Sequence, residues 1–115
     1  MAEFVVERGG TTLVTLHEGT DTTACATATA ELATAFDAIG TEVREWTITA
    51  AEVYEYPPAP FEPYTVSVSF EIAVVIEAAT ATVATRVGSA RIDEMLESVG
   101  VGGVTYTAPA VTTGA

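Results

Sequence analysis

Residues 64 to 77 read YTVSVSFEIAVVIE, and their alternation decides the fold. Tyr64, Val66, Val68, Phe70, Ile72, Val74 and Ile76 fall on one parity, and Thr65, Ser67, Ser69 and Glu71 on the other. Successive side chains of an extended chain point to opposite faces, so the even residues share an apolar face. The stretch predicts one long strand, reaching roughly 46 Å at about 3.3 Å per residue. Ala73 and Val75 make its far end apolar on both faces, which predicts that this end lies deeper in the core or under a second layer.

Upstream, Glu42 to Tyr56 reads as the partner strand of a long hairpin. Trp46, Ile48 and Ala50 share a parity. The apolar phase then moves to Ala51 and Val53, as a β-bulge at Ala50-Ala51 would require. Between the two strands stands YEYPPAPFEPY, residues 54 to 64, which holds four of the five prolines. Proline has no N–H for a ladder, so pairing is expected to stop near Tyr56 and resume near Tyr64. A loop stiffened in this way loses little freedom on binding. Tyr54, Tyr56, Pro57, Pro58, Phe61 and Tyr64 are therefore the candidate protein-interaction residues. The alternative is that the rings fold back and close the core.

Further out, Glu3 to Glu7 and Thr11 to Glu18 read as two short strands, joined in a hairpin through Gly9-Gly10. In the stretch Thr22 to Ile39, Cys25, Ala28, Leu32, Phe36 and Ile39 form a helical stripe, with Thr20 or Asp21 as cap and Gly40 as stop. A second helix is predicted from Ser89, its cap, to Val99, with Ile92, Met95, Leu96 and Val99 on one face and Gly100 at its end. Residues 78 to 87 fit strand, loop or helix. Val104 to Thr107 reads as a last strand. The expected fold is α+β, an antiparallel or mixed sheet with two helices on one face. The order from Thr11 onward is compatible with a ferredoxin-like arrangement. Residues 1–107 form a single domain, and 108–115 form a tail that is mobile unless a neighbour holds it.

Composition narrows function by exclusion. The chain of 115 residues is 49% hydrophobic and 17% charged, enough for one globular core. Sixteen acids stand against four arginines and no lysine, for a net charge of −12. Such a surface suits concentrated salt, where screening removes self-repulsion. An ordinary acidic domain from a GC-rich genome is the alternative. Arg8, Arg44, Arg86 and Arg91 are scattered, so no basic stripe exists for nucleic acid. No apolar run is long enough to span a bilayer, and MAEFVVERGG lacks the pattern of a signal peptide. The expected location is cytoplasmic or within a virion.

No reaction announces itself. His17 is the only histidine and Cys25 the only cysteine, with no third group placed beside them by any motif. Asp93, Glu94 and Glu97 read as a solvated helix face. No metal or cofactor is expected, and the glycines lack phosphate-loop spacing. Three parts of the chain, Thr22–Ile39, Glu42–Glu77 and Ser89–Thr107, together resemble small virion proteins of haloarchaeal tailed viruses. Among those, the resemblance is to tail-completion (terminator) subunits. It implies a non-enzymatic assembly subunit that meets copies of itself and other assembly proteins. The initial strand pair departs from the helix-first order of such subunits. The alternative is a small ligand-binding or regulatory domain of a halophilic cell.

Overall fold

A computed structural model describes residues 1–16, 21–55 and 63–114. The elements are β1 (Ala2–Leu16), α1 (Asp21–Ile39), a short 3-10 turn (Gly40–Glu42), β2 (Glu45–Glu55), β3 (Tyr64–Ala78), α2 (Ala81–Ser98), β4 (Thr105–Tyr106) and β5 (Val111–Gly114). The fold is α+β. Five strands make one antiparallel sheet in the order β2-β3-β1-β4, with β5 also paired to β1. β3 lies between β1 and β2, which α1 connects. This split β-α-β path is compatible with a ferredoxin-like arrangement.

β3 behaves as its alternation predicts. Val66, Val68, Phe70, Ile72, Val74 and Ile76 are all buried. Each such burial contributes about 1.5–3 kcal/mol, so this strand organises the core. On α1, Ala28, Leu32 and Phe36 of the predicted stripe are buried, and Cys25 and Ile39 pack partly exposed beside them. The Phe36 ring lies 5.2 Å, centre to centre, from both Trp46 and Phe70. α2 contributes Ala84, Ile92, Met95 and Leu96 to the same core. Both helices therefore cover one face of the sheet, and no described helix lies over the face carrying the odd residues of β1 and β3.

Several expectations are corrected. Gly9-Gly10 is not a turn: β1 runs unbroken for 15 residues and pairs with β3 along its whole length, from Ala2↔Ala78 to Leu16↔Tyr64. Gly10 serves packing instead. A Cβ there would stand 3.0 Å from Val104 and 3.2 Å from the Phe70 ring, so a side chain would displace both. The second helix does not begin at Ser89. Residues 81 to 87 are helical, and Thr80 is the cap, its hydroxyl accepting from the Val83 N–H at 3.2 Å. Gly88, in the middle of this helix, is where α2 meets β1: a Cβ would come within 2.7 Å of Val6. Residues 111–114 of the tail form β5, held by pairing with β1 from Phe4↔Gly114 to Glu7↔Val111.

The bulge in β2 is present but sits at Thr49, between Ile48 and Ala50, and a second follows at Tyr54. Ala50 thus turns to the open face, opposite Ser69, while Ala51 and Val53 rejoin Trp46 and Ile48 on the core face. Among the described residues no second layer covers the far end of β3. Ala73 is buried between Glu7 and Glu45 of the flanking strands, and Val75 is 37% exposed. The expected caps at Thr20 or Asp21 lie outside the described residues and side chains, as does His17.

Candidate interaction surface

The predicted interaction residues are divided. Tyr54 sits in the second bulge of β2 and is 67% exposed. Tyr64, at the start of β3, packs partly buried against the core. Tyr56, Pro57, Pro58 and Phe61 lie outside the described residues.

A different surface emerges on the bare face of the sheet. The register sets Val5 opposite Val75 on one side and Thr113 on the other, and Glu7 opposite Ala73 and Val111. Val5, Val75 and Val111 thus form a small-side-chain apolar strip across three strands, with Glu7 between Val111 and the buried Ala73. Val111 is 59% exposed. Glu3, Glu7, Glu45, Glu71 and Glu77 surround the strip on the same face, and no arginine shares it. The other half of this face carries Thr11, Thr15, Thr65, Ser67 and Ser69, with Thr11 and Ser69 hydrogen-bonded at 3.2 Å. Sequence reading missed the strip because a broken β1 and an unpaired tail left Val5 and Val111 without positions.

Two grooves flank this face. One, of about 790 Å³, lies where β2 begins and leaves the end of β3 without a partner on that side. Glu42, Arg44, Val75, Arg91, Glu94 and Met95 line it, so Val75 belongs to both groove and strip. The second, of about 340 Å³, runs beside Thr12 to Thr15 of β1, beyond the reach of β4. Leu32, Ala35, Val99 and Val101 give it an apolar floor, and Leu13 at its rim is 50% exposed.

On the helix side, one polar cluster ties β1 to α2 and β4. The Arg8 guanidinium stacks on the Tyr106 ring, 3.3 Å from its centre, and reaches Asp93 Oδ1 at 3.8 Å. Tyr106 donates its hydroxyl to the same Asp93 carboxylate. Arg8 Nη1 also donates to the Ser89 carbonyl at 3.4 Å, while its Nε is buried without a partner. Burial, then the hydrogen bond and the negative charge of Asp93, push the Tyr106 phenol well above its ordinary range. With Arg8 stacked on its ring and its hydroxyl bonded to Asp93, Tyr106 fastens β4 to β1 and α2.

Among the described residues no group of three His, Cys, Asp or Glu side chains could hold a metal ion. No described helix is long and apolar enough to cross a membrane. Comparison with protein-family models, with curated proteins and with solved structures finds no match.

Proposed function

We propose that the protein is a non-enzymatic assembly subunit of a salt-adapted oligomer. The observation that carries this reading is the apolar strip of Val5, Val75 and Val111, with Val75 and Val111 exposed, on a sheet face that no described helix covers. An apolar strip ringed by polar residues is the anatomy of a contact surface. The second support is shape. The molecule measures 56 × 24 × 19 Å, so its two 15-residue strands present a long flank relative to its mass. The acidic surface would hold such subunits in solution where salt screens their repulsion. A tail-completion subunit of a haloarchaeal tailed virus is the particular member of this class that the sequence resemblance favours.

Size-exclusion chromatography with light scattering in multimolar KCl tests the reading. The expected mass is that of a multimer, six or more copies for a tail ring, and Val75→Glu with Val111→Glu shifts it toward the monomer. A wild-type chain that stays monomeric at every salt and protein concentration overturns the reading. A dimer that binds a small metabolite would support the alternative of a regulatory domain.

A further inference from the structure

The arginines point to the partner. Among the described residues the only ion pair is Arg8–Asp93, so Arg44 and Arg91 are unpaired on a chain with sixteen acids. Both line the same groove of about 790 Å³, together with Val75 and Met95. Half of the molecule's cations thus meet at one concave place. The open sheet face is the complement, with Glu3, Glu7, Glu45, Glu71 and Glu77 and no arginine. An arginine fork matches a carboxylate in two parallel hydrogen bonds and tolerates interface burial better than lysine does.

We infer that a second copy of this chain docks its glutamate-bearing sheet face against the Arg44–Arg91 groove. The inference rests on the assembly reading above and names its partner. Each copy carries both groove and glutamates, so every copy serves as donor and acceptor. Glu42 and Glu94, also in the groove wall, oppose the incoming carboxylates. Their effect gives the model a sign: neutralising them strengthens the contact, whereas neutralising the arginines weakens it. Complementary charge sets orientation here, and the exposed side chain of Val75 supplies apolar surface to bury.

The test uses the full chain at the lowest KCl concentration at which circular dichroism shows it folded, with association followed by light scattering. Arg44→Glu with Arg91→Glu is expected to weaken association at least tenfold, and Glu42→Gln with Glu94→Gln to strengthen it. A chain carrying Glu71→Arg and Glu77→Arg is expected not to self-associate. Mixed with the arginine-reversed chain, it should restore a complex that neither forms alone. If the arginine-reversed chain remains folded and associates as the wild type does, the inference fails while the assembly reading stands. If the wild type never associates, the assembly reading itself fails. Absence of rescue in the mixture, with both chains folded, also overturns the pairing of groove with sheet face.

Discussion

At the scale of single residues, two side-chain environments carry sharp consequences. Gly88 occupies the middle of α2, where alanine would ordinarily favour the helix by about 1 kcal/mol. Here the added methyl would stand 2.7 to 2.8 Å from the Val6 side chain, which is itself fully buried. Gly88→Ala is therefore expected to destabilise by about 1–3 kcal/mol, as overpacking does. Denaturant melts of Gly88→Ala, Val6→Ala and the double variant check this. The double variant should lose less than the sum of the singles, because each relieves the other. Tyr106 supplies the second case. Its phenol titrates at higher pH in the fold than in the unfolded chain, so the neutral form is the stabilised one. That contribution is fully present below about pH 10, the ordinary phenol value, and is lost as pH rises beyond it. A melting temperature that falls above pH 10 in the wild type, with a shallower fall in Tyr106→Phe, is the expected result.

At the scale of elements, β1 depends on its neighbours more than on its own sequence. It contains two adjacent glycines, which weaken an isolated strand. Pairing with β3 over its full length, and with β4 and β5 on the other side, offsets that weakness. β5 is short, but it covers the β1 edge at Phe4 to Glu7 and sets Thr112 against Thr85 of α2, with the two hydroxyls 2.5 Å apart. Truncation after Pro109 is expected to cost about 1–3 kcal/mol, the scale of a few lost hydrogen bonds. Amide exchange should quicken first at Val5 and its neighbours in β1, because their edge is then unpaired. Unchanged stability and exchange would show that β5 adds nothing to the domain.

At the scale of the whole molecule, charge dominates. A net charge of −12 on a chain of 115 residues destabilises any compact state through self-repulsion. With one ion pair among the described residues, few local contacts offset that term. The melting temperature is expected to rise as KCl goes from dilute to multimolar, most steeply below about 1 M, where the Debye length shrinks to about 3 Å. A melting temperature indifferent to KCl would contradict salt adaptation.

The alternation from Tyr64 to Ile76 by itself determined a long strand and its buried face, because only an extended chain puts every second side chain on one face. With the two helical stripes it determined the α+β class. The stripe from Cys25 to Ile39 determined α1 in the same way. Only the tertiary structure decided what Gly9-Gly10, Gly88 and residues 111–114 do. A glycine that marks a turn and a glycine that admits a neighbouring ring or helix look identical in sequence, and the difference lies in what approaches it. Val5, Val75 and Val111 come together for the same reason. Their proximity is made by strand register between segments more than thirty residues apart, which local periodicity does not encode.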